Sequence, residues 1–291
     1  MIVVVSGATG ALGREIVALL AARGIQVRAL GRDPARLAGL PAHETRAADL
    51  LQLGSLTGIC DGASALIIAS GASMQLGHWH DRSSFLSIDY LAHLRLLAEA
   101  RRSGLRRVIT VSLAGALALR HTEYAQAHER FVQALAESGI SHCVIRPTGF
   151  FAMFAALLPL ARRGIGFVAG PGHARTNPVH EVEVAMACVD ALDSGECQTV
   201  LGGPEVFSRL RLAELPFEAL GRPPRILHTP PWLVRSAALP IGWANPRIAG
   251  LIRFGVAASG TDLVAPARGL LRLGDYLRRE AAILRAEPTG D

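Results

Sequence analysis

Ile2-Val3-Val4-Val5-Ser6-Gly7-Ala8-Thr9-Gly10-Ala11-Leu12-Gly13 is the stretch that decides the fold. A β-branched run such as Ile2 to Ser6 suits a strand buried on both faces of a sheet. Ala11 to Arg23 carries apolar residues at helical spacing and stops at Gly24, a residue well suited to end a helix. Between strand and helix the glycines are spaced G-x-x-G-x-x-G. Gly7 allows a tight turn, Gly10 lets the backbone approach a pyrophosphate, and Gly13 lets helix and strand pack closely. Thr9, Ala11 and Leu12 complete a turn whose N–H groups, at a helix N-terminus, suit phosphate oxygens. An ordinary βα turn is the competing reading of the same residues.

The rhythm continues outward. Ile25 to Leu30, Ala65 to Ala69, Arg107 to Ser112 and His142 to Arg146 read as strands. Leu86 to Ser103 and Thr122 to Ser138 read as helices, closed by Gly104 and Gly139. Strands separated by helices need crossover connections, so the expected class is α/β with a doubly wound parallel sheet over residues 1–150. A segment near 174–203 is expected to return to this domain. The rest of 151–291 reads mainly as a smaller substrate subdomain and an apolar tail. Gly149 to Gly172 reads as a helix and a strand, and Glu181 to Leu192 and Ser208 to Leu220 as helices. The tail, Trp232 to Phe254, is apolar and interrupted by Pro240 and Pro246. It can serve as core or lid, as a dimer face, or as a surface lying on a membrane.

Composition narrows the chemistry. The chain has 291 residues, half of them hydrophobic, enough for a sizeable core. All thirty basic residues are arginine, which excludes a lysine Schiff base and a P-loop lysine. The charge of +6 is scattered rather than clustered, which argues against nucleic acid as a partner. Cys60, Cys143, Cys188 and Cys197 are far apart, which fits a reducing cytoplasm better than a disulfide scaffold. No basic n-region precedes Ile2, so a cytoplasmic protein without a secretory leader is expected. His78-Trp79-His80-Asp81 lacks the spacing of common metal sites, and no metal is expected; a place on the rim of a cleft suits it better.

The glycine turn resembles that of the short-chain dehydrogenase/reductase superfamily, its atypical NmrA-like branch in particular. The resemblance implies a Rossmann-type fold and an NAD(P) cofactor. At the end of the second strand an acidic residue would meet the ribose 2′-hydroxyl of NAD, and an arginine the 2′-phosphate of NADP. Arg32 stands there and favours NADP; Asp33 follows it and keeps NAD open. By the same resemblance Asp49 and Leu50 lie near the adenine, and Ala69, Ser70 and Gly71 near the ribose. Pro147, Thr148, Gly149 and Phe150 belong to the segment that passes the nicotinamide. Asp89-Tyr90 opens the helix that follows, and Arg175 to His180 and Gly202 to Ser208 resemble later marks of the group.

The superfamily's chemistry uses a serine, a tyrosine and a lysine four residues beyond the tyrosine. Ser112 and Tyr124 occupy the first two places, and His128 stands where the lysine belongs. Tyr124 and His128 share one helix face. A mostly neutral imidazole would lower the tyrosine pKa less than an ammonium does. Three readings follow. The pair is a working variant, the proton comes from elsewhere, or the protein is a catalytically silent NADP(H) sensor or scaffold. The expected reaction is hydride transfer between NADPH and a small or medium apolar carbonyl or alkene. Phe150, Phe151, Met153 and Phe154 are candidates for a substrate wall or for core, and the oligomeric state is open.

Overall fold

The computed structural model describes residues 1–74 and 79–286. Strand and helix alternate as β1 (Ile2–Ser6), α1 (Ala11–Ala22), β2 (Gln26–Gly31), α2 (Pro34–Ala38), β3 (Glu44–Ala47), β4 (Ala65–Ile68), α3 (His93–Arg102), β5 (Arg107–Val111), α4 (Glu123–Glu137) and β6 (Ser141–Pro147). Beyond β6 come α5 (Phe151–Ala155), α6 (Leu158–Arg162), β7 (Gly166–Ala169), β8 (Arg175–Thr176), α7 (Glu181–Asp190), β9 (Gln198–Leu201), β10 (Phe207–Ser208), α8 (Arg209–Ala219) and β11 (Ile226–Thr229). Three helices close the chain: α9 (Pro231–Ala244), α10 (Pro246–Ser259) and α11 (Leu273–Ala286).

Seven strands form one parallel sheet in the order β3-β2-β1-β4-β5-β6-β9. Side-chain alternation sends Val3 and Val5 to one face, against Ile16, Val17 and Leu20 of α1 and Val184 and Val189 of α7. Val4, Leu66 and Ile68 point to the other face, against Leu96 and Leu97 of α3 and Phe131 and Leu135 of α4. The strand order reverses between β1 and β4, which opens a crevice at their carboxyl ends. Ser6 and Ser70 mark this switch point, with their hydroxyl oxygens 3.0 Å apart.

The later elements cluster beside the crevice. β7 pairs with β11 in parallel and β8 with β10 antiparallel. Phe151, Leu158, Leu212, Leu215, Leu273 and Leu277 form a core of their own. Asn177 ties this region together, donating its amide to the Gly203 and Ala265 carbonyls and accepting from the Ala265 N–H.

Three local expectations are corrected. Gly149 to Gly172 holds two short helices before its strand, because Pro159 enters the first turn of α6 and α5 stops before it. Pro240 does not interrupt the tail: it is exposed, and α9 runs through it with one backbone hydrogen bond fewer. Pro246 does break the chain. It starts α10, whose cap is Asn245, accepting from the Ile248 N–H at 3.0 Å. The third difference matters most: the Leu86 helix begins as a π-helical stretch, Leu86–Ala92, before becoming α3. Such a stretch widens the helix and re-aims its side chains. Here Asp89 and His93 are both driven into the interior.

Candidate nucleotide site and buried acid–histidine cluster

The turn after β1 is built so tightly that only glycine satisfies it. Gly7 has φ +72°, and a Cβ there would lie 2.6 Å from the Ser70 backbone. A Cβ at Gly13 would lie 2.1 Å from the Gly7 carbonyl oxygen, so α1 sits directly against the turn. α1 starts at Gly10 with no side-chain cap and no acidic residue in its first turn. Its first amides therefore lack the usual internal partners, and its dipole is not neutralised. A turn that demands glycine at Gly7 and Gly13 and ends in uncapped amides fits a dinucleotide pyrophosphate. Thr9, Gly10, Ala11 and Leu12 would hold it.

Beside this cradle lies the end of β2. Arg32 is exposed, and among the described residues it has no hydrogen bond or ion pair. Asp33 is engaged within its own turn, where its carboxylate accepts the Ala35 N–H at 2.9 Å and caps α2. Two arginines that the motif spacing did not single out join the rim. Arg14 Nε and Arg36 Nη2 donate to the Thr9 carbonyl at 3.1 and 3.0 Å. No local signal pointed to them, because Arg32 precedes α2 and the two side chains converge from different helices. Asp49 closes the loop after β3 through the Leu51 N–H at 3.0 Å and the Gln52 amide at 3.2 Å, with Leu50 half-buried beside it.

On the β4 side, Ala69, Ser70 and Gly71 lead away from the sheet. Ser70 Oγ lies 3.2 Å from His93 Nε2, and the Ala72 N–H donates to Asp89 Oδ1 at 3.2 Å. A Cβ on Gly71 would crowd that carboxylate at 2.9 Å. On the far side, the β6 exit runs through Pro147 and Thr148, whose hydroxyl donates to the Asn177 carbonyl at 2.6 Å. Gly149, at φ +147°, turns the chain, and Phe150 bridges Val179. His180 is a helix cap: its Nδ1 accepts the Val182 N–H at 3.1 Å at the start of α7.

Ser112, Tyr124 and His128 occupy different surroundings. The Ser112 hydroxyl is buried beside an ion pair. Arg146 Nη1 donates to it at 3.2 Å, and the same guanidinium grips Glu129 at 2.5 and 3.2 Å. Thr122 caps α4, which places Tyr124 and His128 one turn apart with ring centroids separated by 4.6 Å, edge to face. Phe85 and Phe254 press edge-on against the same phenol ring at 5.0 and 4.7 Å. Phe254 comes from α10, so one part of the apolar tail is a lid over Tyr124.

Burial sets the proton affinities. It pushes the Tyr124 phenol well above its ordinary 10.0, and the Asp89 charge pushes the same way. It holds His128 down at about 3, helped by the nearby His93 and Arg146, and His93 at about 4. Asp89 is driven up to about 7 by burial; the Ala72 N–H opposes the shift and Glu123 adds to it. His128 Nε2 stands 3.7 Å from Asp89 Oδ1 without a hydrogen bond, and His93 Nδ1 is likewise unpartnered. The cluster is thus a neutral imidazole pair around a carboxyl group able to exchange a proton near neutral pH. Among the described residues no cation stands beside the phenol to acidify it.

Trp79 is exposed, and the Trp79 and Asp81 carbonyls accept the Asn245 amide at 2.7 and 3.1 Å; His78 lies outside the described residues. Among the described residues no three His, Cys, Asp or Glu side chains gather as a metal site, and no helix is long and apolar enough to cross a membrane.

Comparison with known proteins gives a consistent result. The chain is 29% identical over 248 residues to the chloroplastic divinyl chlorophyllide a 8-vinyl-reductase of Oryza sativa subsp. indica, covering 78% of this chain and 61% of that protein. It is 28% identical over 264 residues to the mitochondrial NADH dehydrogenase [ubiquinone] 1 alpha subcomplex subunit 9 of Arabidopsis thaliana, covering 82% and 63%. The chain thus spans somewhat over three fifths of these relatives. The NADPH-dependent quinone oxidoreductase of Escherichia coli, solved with NADPH, superposes with a TM-score of 0.74 at 21% identity over 97% of this chain and 99% of its own. Triphenylmethane reductase of Citrobacter sp. gives 0.75 at 18% identity over 97% and 100%. The family described as NAD(P)H-binding matches residues 7–194, from the first glycine of the turn to just past α7. The chain belongs to this NAD(P)H-binding family, and it shares its fold with the two solved reductases.

Proposed function

We propose that the protein is an NADP-dependent oxidoreductase that transfers a hydride between NADPH and a small or medium apolar carbonyl or alkene. The observation that carries this reading is the uncapped start of α1 flanked by Arg14, Arg32 and Arg36. Guanidinium groups suit a phosphate monoester, and Asp33 is engaged as a helix cap. The E. coli structure solved with NADPH and the rice reductase of a vinyl group support the same direction.

Bound NADPH would supply the hydride. The chain's own residues orient and protonate. The amides of α1 would hold the pyrophosphate, and Ser70 and Thr148 would line the path toward the reacting end. The phenol of Tyr124, with its raised pKa, keeps its proton and acts only as a hydrogen-bond donor to a substrate oxygen. Asp89, near neutrality, would be the source of the proton that the reduced substrate takes up. An apolar substrate suits the Phe85–Tyr124–Phe254 wall.

The closure of Phe254 over Tyr124 favours a second reading: a nucleotide-state sensor whose catalytic position is silent. Calorimetric titration with NADPH, NADP⁺, NADH and NAD⁺, followed by NADPH-consumption assays with quinone and alkene acceptors, separates them. Tight binding of both phosphorylated forms with turnover supports the oxidoreductase. Strong preference for one redox state without turnover supports the sensor, since a ligand shifts a conformation only through differential affinity. Binding of NAD(H) alone overturns the arginine argument. Arg36→Ala should weaken NADPH binding about tenfold and leave NADH unchanged.

A further inference from the structure

The apolar tail does two different things. α10 turns inward, with Phe254, Ala257 and Ala258 in the core beside α4. α9 turns outward, and only Ala238 among its residues is buried. Trp232, Ser236, Leu239 and Trp243 recur at i, i+4, i+7 and i+11, so they share one face. Trp232 is 67% exposed, Leu239 66% and Trp243 92%, with Leu233 and Pro240 flanking them in the open. At the usual rise the two indoles are about 16 Å apart along the helix. β11, which leads into α9, adds exposed Leu227, register-paired with exposed Phe167 of β7. A row of large apolar groups in water calls for an occupant.

Charge identifies it. Residues 219–261 contain five arginines and no aspartate or glutamate. Arg247 is buried and bonds the Ser73 and Asp81 carbonyls, whereas Arg222, Arg225, Arg235 and Arg253 are exposed. A second copy of the chain would set these arginines against arginines. An anionic lipid surface complements them and takes up the apolar stripe at once, with indoles at the headgroup level. α9 is also held in place at its end, where Asn245 bonds the Trp79 and Asp81 carbonyls.

We propose that α9 is an interfacial helix that docks the protein on anionic lipid, with Trp232, Leu239 and Trp243 entering the headgroup boundary and the neighbouring arginines meeting lipid phosphates. The inference stands apart from the reaction proposed above. The test is co-sedimentation of the full chain with phosphatidylglycerol-rich and with pure phosphatidylcholine vesicles, at about 0.1 M and about 0.5 M salt, alongside size-exclusion chromatography. The expected result is sedimentation with the anionic vesicles, weakened by salt. Trp232→Ser/Trp243→Ser should reduce partitioning at least about tenfold while leaving NADPH affinity and melting temperature unchanged. Trp243→Ser alone, at the most open position, should give part of that loss. Failure to sediment with anionic vesicles overturns the proposal, as does undiminished sedimentation of the double variant. A dimer that the double variant dissociates, without sedimentation of the wild type, overturns it in favour of a second copy.

Discussion

Replacing Gly13 by alanine tests the steric logic of the nucleotide cradle. The new Cβ would stand 2.1 Å from the Gly7 carbonyl oxygen and 2.8 Å from Ala8 Cα. Ordinary contact needs more than 3 Å, so turn and helix must part by about 1 Å, and both obstacles are backbone that cannot rotate away. Overpacking of this kind costs about 1–3 kcal/mol. Against it, alanine gains about 1 kcal/mol over glycine in a helix. The net loss is about 1 kcal/mol, a fall of about 2–4 °C in melting temperature. Binding should suffer more, because the parted turn no longer presents the α1 amides, and a loss of about 2 kcal/mol in NADPH affinity is about thirtyfold. Gly24→Ala is the control. Its Cβ meets nothing within 4 Å, but φ is +71°, so it should cost about 1 kcal/mol of stability by backbone strain alone and leave NADPH affinity intact. Thermal unfolding and calorimetry on both variants decide the matter. If Gly13→Ala bound NADPH as tightly as wild type, or Gly24→Ala lost affinity as much as Gly13→Ala, the close-approach argument would be wrong.

Asp89 ionises near 7 in the folded chain against an ordinary 3.8, so between those values the unfolded chain carries the charge and the folded chain keeps the proton. Rising pH across this window therefore lowers stability, at most by a few kcal/mol. Asp89→Asn should gain on wild type from about pH 4 to about 7 and hold the gain above, as read by urea denaturation at several pH values; parallel curves would refute the burial assignment. His93 and His128, held near 4 and 3 instead of 6.5, act in the opposite direction: below about pH 6.5 the unfolded chain takes up protons and stability falls. His128→Gln should flatten that acid limb. Phe254→Ala should open the wall over Tyr124 and cost about 3 kcal/mol by cavity formation. If the lid masks a working site, turnover should rise despite the lost stability, and Tyr124→Phe in that background should abolish the gain.

Much of this was legible in the chain itself. The G-x-x-G-x-x-G turn, the alternation of strands and helices, and the positions of Ser112, Tyr124 and His128 at the ends of β5 and along α4 are local properties. Periodicity and the steric demands of a turn are written within a few residues. The rim arginines were half legible. Arg32 stood at the expected place, but the convergence of Arg14 and Arg36 on one carbonyl depends on α1 and α2 meeting across the turn.

By itself the sequence determined the class of fold, the nucleotide cradle and the absence of a lysine beside Tyr124. Tertiary structure alone decided the state of the site and of the tail. Phe254 lies 130 residues beyond Tyr124 in the chain, yet it closes over the ring. Asp89 reaches His128 only because a π-helical stretch turns it inward. Proton affinities follow from desolvation, which exists only once distant segments have excluded water. The apolar tail divided for the same reason: α10 found a core to enter, and α9 did not.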